Sequence, residues 1–291
     1  MRMMTTELGR IKWIQLDEGV QQVLEQASRV TPLIPGLEAT VMRIELGNQH
    51  YVLKVWNKES KPDIGKQYRL LSKLHQSGIR VSKPYGWGMD EQQNQVLLTS
   101  YDGERVTLLT DDILTSLAQQ LMEVHRYPVN EVHAGEDVGY ISRYDFVGYF
   151  FHQVELHEDI NAILANLIQH VQIRQDRLIH GDYNLGNILA MDDNYTIIDW
   201  TNGQYGDPRY DVAWTVFLIS IYHGEGYGEV FQAEYRRTTS YTLEEERIFE
   251  AVACLRWILL RRVGDVPMGP HVMERVHRIT LHNPFLNENL L

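Results

Sequence analysis

Cysteine is almost absent from this chain: Cys254 is the only one in 291 residues. One thiol excludes an internal disulfide framework and a cysteine-rich metal site. Its apolar surroundings, residues 251–260, mark it as a small core residue. Long apolar runs are missing too. The longest clean stretch, residues 212–221, is interrupted by Thr215 and Ser220 and falls far short of the ~20 residues of a membrane-spanning helix. The first residues, Met1-Arg2-Met3-Met4-Thr5-Thr6-Glu7, contain no apolar h-region, so no signal peptide is expected and the cytoplasm is the expected location. Lysine disappears after Lys83. Residues 1–100 carry 13 Lys+Arg against 10 Asp+Glu, and residues 101–291 carry 14 against 29, for a net charge of -12. So acidic a second half argues against a nucleic-acid partner, which would demand a basic face. It favours a neutral or cationic small molecule, with plain solubility as the alternative.

What is present is an ordinary globular composition, 44% hydrophobic and 23% charged, in a chain long enough for two domains with real cores. Residues 18–29 read as a short helix leading into a turn, Thr31-Pro32-Leu33-Ile34-Pro35-Gly36. Residues 40–46 and 51–56 read as strands joined by the hairpin turn Gly47-Asn48-Gln49-His50. Lys54 lies inside the second strand. Tyr68, Leu70, Leu71 and Leu74 give residues 66–76 a helical period, which Gly78 ends. Residues 96–101 form an apolar strand closed by the turn Asp102-Gly103. Helical patterns then take over: residues 111–124, with Ile113, Leu114, Leu117, Ala118 and Leu121 on one stripe, then 156–171, 211–222 and 242–262. The last opens on the capping box Thr242-Leu243-Glu244-Glu245. Residues 190–199 read as a small hairpin. The order predicts an α+β protein with a strand-rich domain over 1–100 and a mainly helical one over 101–291.

The chemistry concentrates in L-I-H-G-D-Y-N-L-G-N-I-L-A, residues 178–190, and in the strand Y-T-I-I-D-W that ends on Asp199. Asp182 is the candidate base for a hydroxyl proton. Asn187 and Asp199 offer one neutral and one charged oxygen, the donors Mg²⁺ prefers when it also binds phosphate. Lys54 can clamp nucleotide phosphates, or be an ordinary edge lysine. Together they suit phosphoryl transfer, which asks a protein for positioning and charge neutralisation. His180 reads as a scaffold whose ring holds loop backbone. Asp207 precedes Pro208 in a turn, and Asp211 either caps the helix that follows or bonds back to the His180 loop.

The pattern H-G-D-x-x-x-x-N, followed by Asp199, Gly206-Asp207-Pro208 and Asp211, resembles the aminoglycoside phosphotransferase and choline-kinase-like family. The resemblance runs from about Thr31 to Tyr222 and is most specific over 178–214. It implies a bilobal protein-kinase-like fold, with a small antiparallel-sheet N-lobe and a larger mainly helical C-lobe. It implies ATP or GTP as co-substrate and Mg²⁺ as cofactor. It makes Lys54 the phosphate-binding lysine, Asp182 the catalytic acid-base residue, and Asn187 and Asp199 the metal ligands. Ser100 and Tyr101 fall where the connecting strand bonds adenine through its backbone. Two departures stand out. The helix glutamate that salt-bridges the lysine is replaced by Gln67, with Glu59 as a possible substitute. The loop expected to cover phosphate, residues 34–40, has a single glycine, Gly36. A small-molecule kinase, for an aminoglycoside or other amino sugar, is the leading expectation. The alternatives are a choline or amino-acid kinase, a non-catalytic binding or scaffold protein, and a metal phosphohydrolase using His180, Asp182 and Asp199.

Overall fold

The computed structural model describes residues 8–24, 29–33, 39–47, 49–60, 62–128, 138–264 and 266–291. Residues 34–38 of the expected phosphate-covering loop, Asn48 of the expected hairpin turn and the first seven residues lie outside the described residues. The chain divides into two compact units, one of Met1–Glu104 with Leu189–Thr201, the other of Arg105–Ile188 with Asn202–Leu291.

The first unit contains β1 (Lys12–Leu16), α1 (Glu18–Leu24), β2 (Arg29–Pro32), β3 (Ala39–Leu46), β4 (Gln49–Trp56), α2 (Ile64–Gln76), β5 (Pro84–Met89) and β6 (Gln95–Ser100). The six strands form one antiparallel sheet in the order β1-β5-β6-β4-β3-β2. Alternation in β3 and β4 sends Met42, Ile44, Tyr51 and Leu53 to one face, where they join Val96, Leu98, Leu8, Val20 and Leu24 in a core. Trp87, Leu97, Lys54 and Val41 lie in register across four strands, so they share the opposite face. Gly65 of α2 lies against the Trp87 indole, so α2 covers the face from which Lys54 emerges. Asp63 caps α2 by accepting from the Lys66 N–H, as a helix start requires.

Within the helix expected over 18–29, Glu18–Leu24 is helical and residues 25–28 lie outside the described residues, whereas Arg29–Pro32 is strand where a helix end and a turn were expected. The β-branched Val30 and Thr31 pair with β3, and Pro32 is tolerated because β2 is an edge. β1 and β5 were not anticipated either. The sequence of β5, P-Y-G-W-G-M, reads as a loop, yet glycine is what β1 requires of it: a Cβ on Gly88 would come within 2.3 Å of the Lys12 carbonyl oxygen.

The two-residue strand β7 (Glu104–Arg105) marks the boundary. Next come α3 (Asp111–Arg126), α4 (Phe146–Phe150), α5 (Glu158–Val171), β8 (Arg177–Ile179), the hairpin β9 (Ile188–Met191) and β10 (Asn194–Ile197), β11 (Gln204–Gly206), α6 (Pro208–Tyr222), α7 (Glu225–Arg236), α8 (Leu243–Val263) and α9 (Val272–His282). The core of the second unit joins α5, α6 and α8 through residues such as Leu164, Leu167, Phe217, Ile221, Val252 and Trp257. Cys254 is fully buried there, and burial pushes its thiol up. The capping box of α8 is complete: Thr242 accepts from the Glu245 N–H, and Glu245 accepts from the Thr242 N–H. α6 starts earlier than expected, at Pro208, and its cap is Asp207, not Asp211. α4, α7 and α9 were not anticipated. α7 carries Gly226 and Gly228 in its first turn, a composition that disfavours helix, and tertiary packing on α6 and α3 overrides it. Among the described residues no helix is long and apolar enough to cross a membrane.

Candidate active site

The loop after β8 is fastened from beneath by one buried carboxylate. Asp211 accepts from the His180 N–H at 2.8 Å and from the Gly181 N–H at 2.8 Å, and it is 3.0 Å from His125 Nε2. His125, on α3, meets the Tyr235 hydroxyl of α7 at 2.6 Å through its other ring nitrogen. Burial pushes the Asp211 carboxyl up, but the His125 hydrogen bond, the charges of His125 and His180 and the His180 N–H outweigh it and hold it below the usual carboxylate range. Of the two roles open to Asp211, the bond back to the His180 loop is the one observed. Gly181 turns the chain with φ 77°, and a Cβ there would lie 2.8 Å from the Asn202 carbonyl oxygen. His180 is fully buried and its Nδ1 accepts from the Asp182 N–H at 3.3 Å. That is a scaffold's position, and it takes this nitrogen away from any metal. Tyr183 adds a bond from its hydroxyl to the Leu117 carbonyl of α3 at 3.0 Å.

On this platform the Asp182 carboxylate receives two side-chain donors. Trp214 Nε1 donates to Oδ1 at 2.9 Å, and Asn187 Nδ2 donates to Oδ2 at 3.3 Å and to the Asp182 carbonyl at 3.0 Å. Asn184 caps the short turn Leu185–Asn187 by accepting from the Gly186 N–H and also donates to the Asp182 carbonyl. With its amide group committed to Asp182, Asn187 keeps Oδ1, a hard neutral oxygen, free among the described residues. A half-buried carboxylate in a fixed orientation can accept a proton from a hydroxyl, given reach.

The other candidates belong to the first unit. Lys54 is half-buried and makes no ion pair among the described residues, though its charge acts on Asp102. Gln67 is buried on α2, and its Oε1 has no hydrogen-bond partner among the described residues. Glu59, the substitute considered for that glutamate, is exposed in the turn before α2, with its own N–H on Asn57 at 2.9 Å, and pairs with no lysine among the described residues. The Ser100 N–H donates to the Lys83 carbonyl at 2.9 Å and the Tyr101 N–H to the His50 carbonyl at 3.3 Å, and the Ser100 carbonyl accepts from Thr99 Oγ1 at 3.2 Å. Beside them Asp102 accepts from Ser82 Oγ at 2.5 Å and from Ser100 Oγ at 2.8 Å. Burial nevertheless holds its carboxyl above the usual range, against the pull of both serines, His75 and Lys54. Asp199 is exposed, sits at φ 62°, and accepts from Thr201 Oγ1 at 2.9 Å through one oxygen. A non-glycine residue in left-handed backbone is uncommon, and such positions gather at functional sites.

Trp214 was missed. It falls three residues after Asp211 in an apolar helix, where nothing in the sequence separates an indole aimed at a carboxylate from a core aromatic. A cavity of about 660 Å³ lies elsewhere in the second unit, among α6, α7, α8 and α9. Its floor is Phe217 and Phe249, and most of its carboxylates are paired, Glu245 with Arg209, Glu246 with Arg236, Glu250 with Arg247 and Glu225 with Arg278. Asp182 does not line it.

The sheet-bearing first unit, the helical second unit and the His180–Asn187 loop define a protein-kinase-like phosphotransferase. The model of the phosphotransferase enzyme family matches residues 29–249, so the chain belongs to that family and is a small-molecule kinase. No curated protein matches it by sequence. Among solved structures it is similar to a thermostable mutant of the aminoglycoside phosphotransferase APH(4)-Ia in apo form, 16% identical over 81% of this chain and 88% of that one, with a TM-score of 0.60. The amicoumacin kinase hAmiN in complex with AMP-PNP, Ca²⁺ and Ami is 16% identical over 90% of each chain, with a TM-score of 0.62. The choline kinase LicA from Streptococcus pneumoniae is 18% identical over 90% of this chain and 95% of that one, with a TM-score of 0.61. At such identities the likeness is one of fold.

Proposed function

We propose that this chain moves the γ-phosphate of ATP, or of GTP, to a hydroxyl of a neutral or cationic small molecule, with amino-sugar antibiotics as the acceptors to test first. The observation that carries the reading is the Asp182 carboxylate, fixed by Trp214 and Asn187 on a loop fastened by Asp211. In this reading Asp182 orients the acceptor hydroxyl and takes its proton as the oxygen attacks phosphorus. Lys54 binds nucleotide phosphates, Gln67 Oε1 accepts a hydrogen bond from Lys54, and the carbonyls of Ser100 and Tyr101 face the base. Residues 1–100 then serve as the nucleotide-binding lobe and 101–291 as the catalytic and acceptor-binding lobe.

By chemistry each suits Mg²⁺: Asn187 Oδ1 in the second unit and the second oxygen of Asp199 in the first are hard oxygens without a partner among the described residues. When bound, the metal neutralises charge on phosphate oxygens. The solved ternary complex of the APH(4)-Ia mutant with ADP and hygromycin B and the amicoumacin kinase complex are the reason to test antibiotics first. The choline kinase keeps an aminoalcohol in view. Gln67 favours a second reading, a kinase-like protein kept for binding, because a neutral amide cannot balance the lysine charge. ATP consumption with Mg²⁺ across amino-sugar antibiotics, aminoalcohols and amino acids separates the two. Acceptor-dependent ADP release supports the kinase; nucleotide binding without turnover on every acceptor supports the binding protein.

A further inference from the structure

Arg256 is a buried cation that the site as described does not use. It sits in the middle of α8, 8% exposed, and pairs with no carboxylate among the described residues. A guanidinium in such a place needs other compensation. It finds it in two directions. Its Nη1 donates to the Gly181 carbonyl at 2.9 Å and to the Tyr210 hydroxyl at 2.6 Å. Its Cζ lies 4.1 Å from the Trp214 ring centroid and 4.6 Å from that of Phe150. Both directions end at the same side chain. Gly181 is the residue before Asp182, and Trp214 is the donor to Asp182 Oδ1.

Resting on the reading of Asp182 as the base, we propose that Arg256 is a positioning residue for it. One planar cation clamps the peptide that carries Asp182 and stacks on the indole that aims its carboxylate. The stacking is a cation–π contact in a dry environment, and the guanidinium plane serves it while its edge holds the carbonyl. An ammonium cannot do both. α8 is thereby coupled to the loop after β8 through a side chain, so the long C-terminal helix sets the geometry of the chemistry without touching substrate.

The test has a kinetic arm and one that needs no acceptor. R256M should lower kcat for Mg²⁺-ATP-dependent phosphorylation about tenfold to hundredfold, the effect of a displaced catalytic group, with KM for ATP and acceptor within about twofold. R256K should recover little of it. W214F removes the donor and keeps a ring, and the double variant W214F/R256M should be no slower than R256M, because both act through one bond. In the second arm the indole N–H of Trp214, identified by its loss in W214F, is followed by NMR exchange with D₂O in the free protein. Its exchange should speed up at least about tenfold in R256M and R256K, with the other indoles unchanged. Multiplying rate effects in the double variant, or an unchanged Trp214 exchange rate in both Arg256 variants, overturns the proposal. If R256M does not fold, R256K and W214F decide it. If the wild type phosphorylates nothing, the kinase reading fails while the exchange arm still decides whether Arg256 fixes the donor to Asp182.

Discussion

Asp182 and Lys54 are held in opposite ways. The acid has a donor on each oxygen, a loop fastened by Asp211, and Arg256 behind both. The lysine stands on a regular strand, half-buried, on the sheet face that α2 covers; among the described residues it makes no ion pair, and the buried Gln67 oxygen on that helix has no partner. The second unit therefore finishes its reactive group with its own side chains, whereas the first leaves polar groups open. If Asp182 is the base, as proposed, its donors hold it preorganised before an acceptor arrives.

Breaking the fastened side should have the largest effect. Asp211→Ala strands two backbone N–H groups and the buried His125, and is expected to cost about 3–5 kcal/mol, the range for removing one partner of a buried pair; the urea midpoint checks it. The pH dependence has a definite sign. Because the folded carboxyl of Asp211 is held low, its contribution is present above the ordinary carboxylate range and fades as pH falls through the folded value. Asp211→Ala should flatten that acid limb, and an unchanged limb in the variant contradicts the assignment.

On the open side, Lys54→Met should raise KM for ATP about tenfold or more while leaving thermal stability within about 0.5 kcal/mol, as for a group outside the core packing. An unaltered KM removes Lys54 from the nucleotide site. Gln67→Glu sharpens the comparison, since it restores a countercharge on α2. KM for ATP should fall by a few fold, on the scale of one added charge-assisted hydrogen bond. A rise in KM with lost stability means that the new carboxylate does not reach Lys54. Smallest of all is Asp102→Asn. With the folded carboxyl raised by burial, the wild type loses stability as pH rises through the carboxylate range toward neutrality, and the variant should show a flatter profile there. Parallel profiles for the two proteins would contradict that account.

The same contrast explains what could be read from the sequence. The loop 178–190 and the segment from β10 to Asp199 carry their chemistry in consecutive residues, so spacing alone exposed them. The β3–β4 hairpin and α3 were legible because one hydrophobic period runs through each. β5 was not: its glycines answer to the close passage of β1, a tertiary demand that local propensity opposes. α7 was hidden for the same reason. Trp214 and Arg256 sit in apolar helices 32 and 74 residues beyond Asp182, and only packing brings an indole and a guanidinium to one carboxylate. Gln67 stands out in the sequence where the resemblance expects a glutamate, but its oxygen without a partner among the described residues belongs to three dimensions.

The base is the centre of the account, and Asp182→Asn tests it most directly. The variant keeps the shape of the side chain and an oxygen for Trp214 Nε1. Single-turnover transfer of the γ-phosphate to an acceptor that the wild type uses should slow by about 10²–10⁴, with ATP affinity unchanged. Transfer at close to the wild-type rate would show that the proton leaves by another route and that Asp182 is not the base.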